Sequence, residues 1–466
     1  MISSMLRAAA AAALVVVPAQ AGVPDDLVLF VSARDALVAY DAATGRERVR
    51  FPTPGVSADM LVTPEGLVVL NHRDGNKVVM VDARALREVV RIPSSTAGAT
   101  RPVHLYLAPE RPDRRRLAVV ANDGNPQRPA REDNSALIID VTEPSAPRVA
   151  AEVQLGIGHH KIAFARDGLR FSASNINDCE EVVGVYDIAD LSFPKRLLAV
   201  SGAEIGLDGR DGRPNCDPTG QRGRRPAPHG SATFPVNGLH VHNLNGTGQF
   251  LLLEAEASPP HLAAVLSTRG GSGGADIAVH PKGRIAYAPQ NTPRAGGEGA
   301  QAGGACQIGQ LAVIDGVEKR LVAEIPILYT AGCAALPEAA TGSRPANVFV
   351  TPDGRTLAVT VGTLRAGDPG RAEVLVLFDL ADPTAPRQLE SIPVGKAAGG
   401  RSAAMTNDGR LLLVPGNAYA SVTVVDLADR RAVRRIAVAA EPSRVVAWSP
   451  TMGATVAPGS LAAARP

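Results

Sequence analysis

The chain has 466 residues, 48 basic and 46 acidic, for a formal charge of +2, so no dominant basic face exists to hold a nucleic acid. Apolar residues make up 45% of it and aromatic ones only 3%, so the core has to be built from Val, Leu, Ile and Ala, a composition suited to β-structure. The 46 Gly and 37 Pro are dispersed along the chain, which excludes collagen, argues against disorder and long helices, and predicts frequent turns.

Arg7 precedes an apolar run over 8–17, followed by Pro18 and Ala19-Gln20-Ala21. A charged start, a short apolar stretch and a small-residue cleavage pattern predict a signal peptide over 1–21. The apolar run has about ten residues where a bilayer needs ~20, and no later segment is long enough, so the predicted product has no membrane span and is periplasmic or secreted.

From residue 22 onward a phrase returns with changed letters: an apolar stretch, a turn with Gly, and a second apolar stretch. Its copies begin at Asp59, His104, His160, Gly230, Ala275, Ala346 and Ser402, with a partial one at Ser443. Each full copy but one is followed by a third apolar stretch ending in Asp and by a fourth after a turn, as in VVMVDARALREVVRI; the copy from Gly230 departs from that wording. Four short strands per unit make a propeller blade, and the spacing of 45 residues from Gly238 to Gly283 matches the usual blade period. The first segment after residue 22 supplies three strands and the last copy one, so together they complete a blade and close the ring. The prediction is an all-β, eight-bladed β-propeller forming a single domain over 22–466; seven blades result if the C-terminal strand does not pair.

Thr351-Pro352-Asp353-Gly354, Val424-Val425-Asp426-Leu427-Ala428 and Tyr40-Asp41-Ala42-Ala43-Thr44-Gly45 resemble the turn and third-strand signatures of the YVTN or YncE-like bacterial propeller repeat. That resemblance implies the fold over nearly the whole chain and leaves function open, because the matching residues serve turns and packing.

In such a blade the first strand starts, and the second ends, on one face of the disc. The insertions 124–134, 292–307 and 363–372 fall between second and third strands, and 201–228 and 329–344 between blades, so all share that face and predict a decorated binding face. His104, His159, His160 and His229 stand at or just before first strands of three successive blades, His72 ends a second strand, and His240 and His242 lie within one. Several imidazoles near the axis are candidate ligands for a transition metal, Zn before Cu, with Asp59 and Asp123 as supplementary carboxylates. The competing reading is that these histidines bond backbone groups or line a water-filled channel. His261 and His280 map to the opposite face as surface residues.

Gly158-His159-His160, followed by Pro228-His229-Gly230-Ser231-Ala232, resembles elements of the AztD-type periplasmic zinc chaperones, which are also propellers. The resemblance implies His159, His160 and His229 as ligands, while this chain has His240 and His242 where that family places a cysteine.

Four cysteines in an exported chain predict two disulfides. Order and blade adjacency favour Cys179–Cys216 and Cys306–Cys333 among three pairings. Arg210, Arg213, Arg222, Arg224 and Arg225 form a basic insertion ahead of His229 that is either simply solvated or steers an anionic ligand. Gly270-Gly271-Ser272-Gly273-Gly274 fits GxSxG in letters but is a glycine-rich connection leading into a predicted strand instead of a helix, so it indicates neither a nucleophile elbow nor a phosphate cradle; no CxxCH occurs, so covalent haem is not indicated, and there is no nucleotide signature. The functional expectation is an exported metal-binding protein with a metal-handling or chaperone-like role, a monomer meeting a periplasmic partner protein through its long-loop face. The alternatives are a metal-dependent hydrolase of lactonase type, using residues such as Asp59, Asn122, Asp123, Asn175, Asp276 and Asn347, and a metal-free binding scaffold.

Overall fold

The computed structural model describes residues 22–55, 57–158, 160–269, 276–291, 301–302, 305–329, 344–362, 373–395, 403–416 and 420–456, with backbone alone at 301–302, 305–306, 344, 362, 373 and 395. The segment predicted as a signal peptide lies outside them. Eight antiparallel sheets follow one another around a ring, and the only helical pieces among the described residues are the short turns Arg131–Asp133 and Ala203–Ile205. The first blade is completed by both ends of the chain: Arg444–Ser449 pairs with Val28–Ser32, which continues to Ala36–Asp41 and Glu47–Pro52. The innermost strands of the second to eighth blades are Ser57–Val62, Pro102–Leu107, Ile162–Phe164, Pro228–Phe234, Ala278–Val279, Arg344–Val350 and Ala404–Met405. Eight blades and the closing pair agree with the repeat arithmetic.

The core is divided into eight layers, one between each pair of neighbouring blades. Leu29 and Val31 pack with Leu411, Leu413 and Val424 of the eighth blade, while Val28 and Phe30 of the same strand pack with Val68, Leu70 and Val79 of the second. Alternate side chains of a strand leave on opposite faces, and here both faces are covered, so the strand reads as an unbroken apolar run. Val, Leu and Ala make up most of these layers, and the few rings, such as Phe30, Phe171, Phe234 and Tyr287, are fully buried among them.

Outermost strands have no partner beyond them. In all eight blades the register shifts between the third and fourth strands, as at Ile138/Ile139 and Val424/Val425, and the outer strands carry exposed charges such as Arg87, Arg148 and Arg431. Bulges and charges on an edge discourage pairing with another chain.

Turns between first and second strands press on the preceding blade. Gly409 has φ +73°, and a Cβ there would stand 2.2 Å from Cδ of Pro352 in the seventh blade. Left-handed backbone costs an L-residue roughly 1–2 kcal/mol and overpacking adds about 1–3 kcal/mol, so Gly409→Ala is expected to destabilise the protein by roughly 2–5 kcal/mol in urea titration. A loss below about 0.5 kcal/mol would show that this contact does not couple the blades. The same architecture corrects the expectation for His280. It is 4% exposed, and its Nε2 lies 3.0 Å from the Gly354 carbonyl of the next blade's turn, so it is a buried inter-blade residue; His261 is exposed as expected.

The insertions 124–134 and 201–228 leave the same end of the ring, while most of 292–307, 329–344 and 363–372 lies outside the described residues. Arg131 holds the first of them to the fourth blade, donating to Glu181 Oε2 at 2.6 Å and Asp178 Oδ2 at 2.7 Å. A disulfide between Cys179 and Cys216 holds the second, with Cα atoms 5.9 Å apart. Cys333 and the side chain of Cys306 are outside the described residues, so the second pairing is not seen. No helix among the described residues is long and apolar enough to cross a membrane.

Candidate axial site

Polar residues gather where innermost strands begin. Four of those strands carry a β-bulge there, between Ser57 and Asp59, Pro102 and His104, Pro228 and Gly230, and Pro345 and Val348. A bulge inserts an unpaired residue and re-aims the side chains beside it. Asp59 and His104 directly follow their bulges, and His229 and Asn347 lie within theirs.

Two groups of contacts result. Arg444 Nε lies 3.6 Å from Asp59 Oδ1, and His104 Nδ1 donates to Asp59 Oδ2 at 3.2 Å, joining the first three blades. Lys161 of the fourth blade reaches Asp276 of the sixth at 3.2 Å, past the fifth blade, and Asn347 Nδ2 donates to the same carboxylate at 2.8 Å. Tyr106 connects the groups: its ring centroid is 6.1 Å from that of His104, and its hydroxyl donates to the His160 carbonyl at 3.2 Å. Burial pushes the Asp59 carboxyl up, opposed by Arg444, the Leu105 N–H and Lys161. Burial likewise raises the Tyr106 hydroxyl well above its ordinary value, and the Asp59 and Asp276 charges add to this. The phenol therefore stays protonated and acts as a donor.

Three of the imidazoles, those of His72, His104 and His160, share one arrangement. His160 Nδ1 lies 3.0 Å from the Ser174 carbonyl and 3.1 Å from Asn175 Oδ1, and His72 Nδ1 lies 3.0 Å from the Gly55 carbonyl. Facing acceptors, Nδ1 carries the proton in His72, His104 and His160, which makes Nε2 the basic nitrogen. Burial lowers the pKa of His72 to about 4, so its ring is neutral at ordinary pH. A neutral imidazole held through Nδ1–H to a carboxylate or carbonyl is the usual state of a metal-ligating histidine.

Of the sequence-predicted residues, Asp59 and His104 are in contact, and Asp123 accepts the His160 N–H at 3.4 Å. His229 is buried at 7% exposure in the fifth blade, and His72 ends the second strand of the second. His159 lies outside the described residues. Among the described residues, no three or more His, Cys, Asp or Glu side chains form a ready-made metal cluster. His242 belongs elsewhere: with His240 it faces Ser172 of the fourth blade, whose Oγ is 2.6 Å from His242 Nε2 and 2.7 Å from His240 Nδ1. Asp59 is engaged by His104 and Arg444 as an orienting carboxylate. Lys161, Arg444 and Tyr106 were missed in the sequence, although aligning the first residues of each repeat copy would have placed charged side chains in that column.

No family model matches the chain, and no curated protein matches it in sequence. Solved structures do match in shape. Apo AztD from Citrobacter koseri is similar at 14% identity and a TM-score of 0.55, over 92% of this chain and 98% of that one. A protein from Lactobacillus plantarum is similar at 13% identity and TM-score 0.52, over 90% and 98%. A functionally unknown protein from Desulfotomaculum acetoxidans is similar at 13% identity and TM-score 0.52, over 84% and 99%. At such identities the likeness shows a shared fold alone.

Proposed function

We propose that this propeller binds one transition metal ion, zinc before copper, through imidazoles at the loop-side end of its axis, and serves in metal handling outside the cytoplasm. His160, His104 and His229 are the proposed protein ligands, with His159 beside them from the sequence. The observation that carries the reading is the common anchoring of Nδ1 in His104 and His160, which presents Nε2 as the coordinating nitrogen. Likeness of the Gly158-His160 and Pro228-Ala232 segments to the AztD-type zinc chaperones, together with the fold shared with AztD, supports zinc as first choice. A disulfide and the signal-like start support export. The axial carboxylates are already committed, Asp59 to the Arg444 cation and the His104 Nδ1–H and Asp276 to the Lys161 cation, which favours imidazole donors over the carboxylate-rich ion site of a lactonase-type hydrolase, and hence binding over catalysis.

Protein purified without chelator is expected to carry close to one zinc or copper per chain by elemental analysis. The His160→Ala/His229→Ala double variant is expected to lose it while keeping its β-sheet circular dichroism. His104→Gln, which changes a less buried ring, serves as the second variant should the double one unfold. No metal in the native protein and none taken up on reconstitution would overturn the proposal.

A further inference from the structure

Beside the axial residues, between the third, fourth and fifth blades, lies a cleft of about 190 Å³ walled by Arg101, Arg225, Asn125, Asn177, Ile157 and Asp123. Its charge is unbalanced. Asp123 is the one carboxylate in the wall, set against two guanidinium groups, and it already accepts the His160 N–H. Neither Arg101 nor Arg225 has a carboxylate partner among the described residues. Arg225 is aimed by its own contacts, Nε donating to the Ile176 carbonyl at 3.3 Å and Nη2 to Asn177 Oδ1, while Arg101 has no side-chain hydrogen bond within the described chain.

Burial lowers the pKa of Arg225 with no acidic neighbour to offset it. Nearby, Arg73 is lowered by burial and by the Arg101 and Arg444 charges, against the opposing pull of Asp123 and Asp74. A partly desolvated cation such as Arg225 is costly unless a counter-charge meets it. The backbone around them is committed. Arg101 adopts φ +61°, its N–H bonds Asn76 Oδ1 at 2.7 Å, and its carbonyl accepts the Asp123 N–H at 3.0 Å. Arg225 sits on the insertion tied down at Cys216, and Pro226 next to it accepts the Gly246 N–H at 3.0 Å.

We infer that this cleft is a binding site for a small multiply charged oxyanion, a phosphate or a short di- or tricarboxylate, held between Arg101 and Arg225. Guanidinium groups offer paired N–H donors that match either head group, and Asn125 and Asn177 supply neutral walls beside them. The volume is below the roughly 300 Å³ of sites for drug-sized ligands, so the ligand is small. The site does not depend on the metal reading, because no imidazole among the described residues lines it.

The test uses the whole mature protein after chelator treatment, so that bound metal plays no part. Inorganic phosphate, malonate and citrate are titrated by calorimetry at constant ionic strength, with chloride and acetate as controls. At least one of the first three is expected to bind, and the phosphate and carboxylate arms identify which head group the cleft prefers. Arg101→Gln and Arg225→Gln should each raise its Kd by about 10- to 100-fold, the loss of a charge-assisted hydrogen bond. Arg225→Lys, which keeps the charge and loses the fork, should fall between. No binding above the chloride control, or unchanged affinity in a folded Arg101→Gln/Arg225→Gln variant, would overturn the inference.

Discussion

Replacing Trp448 with alanine is expected to cost roughly 3–5 kcal/mol, among the largest losses available to a single side chain in this protein. Trp448 is 3% exposed on the closing strand, opposite Val28, in the layer with Phe30 and Val68. Its Nε1 donates to the Pro64 carbonyl at 3.1 Å, and the Arg84 guanidinium lies 5.5 Å from the ring centre. Gly66 of the second blade approaches so closely that a Cβ there would be 2.8 Å from the indole. Truncation therefore opens a cavity, orphans a carbonyl and loosens the one blade made from both chain ends. Urea unfolding should show the loss, and hydrogen exchange should show faster opening at Val28–Ser32 than in the blades opposite. Val236→Ala, at a 49% exposed position, should cost less than about 0.5 kcal/mol. Equal effects for the two variants would refute the role given to closure.

Acidification is expected to remove stability on the order of 3–5 kcal/mol between pH 7 and 4.5 through His240 and His242 alone. Both are fully buried, and burial lowers their pKa values to about 4 and about 3; His242 is lowered further by His240. The sign follows from proton binding. An unfolded histidine takes up a proton near pH 6.5, whereas the folded pair refuses it until pH 4 or below. Protons thus favour the unfolded chain, so stability is full above pH 6.5 and falls as the pH drops towards 4. Ser172 can donate to one ring and accept from the other, which satisfies one nitrogen of each, but His240 Nε2 and His242 Nδ1 have no hydrogen-bond partner among the described residues. Replacing Ser172→Ala, His240→Val and His242→Leu together, the side-chain types other blades use in such layers, should flatten this part of the pH profile and keep or raise stability at pH 7. Parallel profiles for the wild-type and triple-variant proteins in urea titrations at pH 7, 6, 5 and 4.5 would show that the pair is not responsible. His72, also lowered to about 4 by burial, contributes the same sign to both proteins and cancels in the comparison.

Much of the architecture was legible because a propeller repeats. Each copy's glycine turn and short apolar runs are local signals, and eight recurrences multiply them. Even ring closure could be counted, from three strands at the start and one at the end. His280 shows where this reading breaks. Its strand position placed it on the turn face, but that turn is covered by Gly354 of the next blade, a contact no local pattern encodes.

The axial residues were legible in part. Histidines at the starts of first strands announced themselves by position, and Cys179–Cys216 by blade adjacency. What each side chain touches was not legible, because it depends on bulges and on partners in other blades. Asp59, a candidate ligand by sequence, bonds and orients His104; His242, a candidate ligand lying within a second strand, faces Ser172.

By itself, then, the sequence determined the blade, the number of blades and the closing strand, since all of these follow from periodicity and chain order. Only the tertiary structure decided which nitrogen of each imidazole is tied, that Lys161 of the fourth blade reaches Asp276 of the sixth, and that Arg101 and Arg225, far apart in the chain, wall one cleft. Those facts depend on how eight similar units are rotated against one another, and distances between units are not written in the pattern within any one of them.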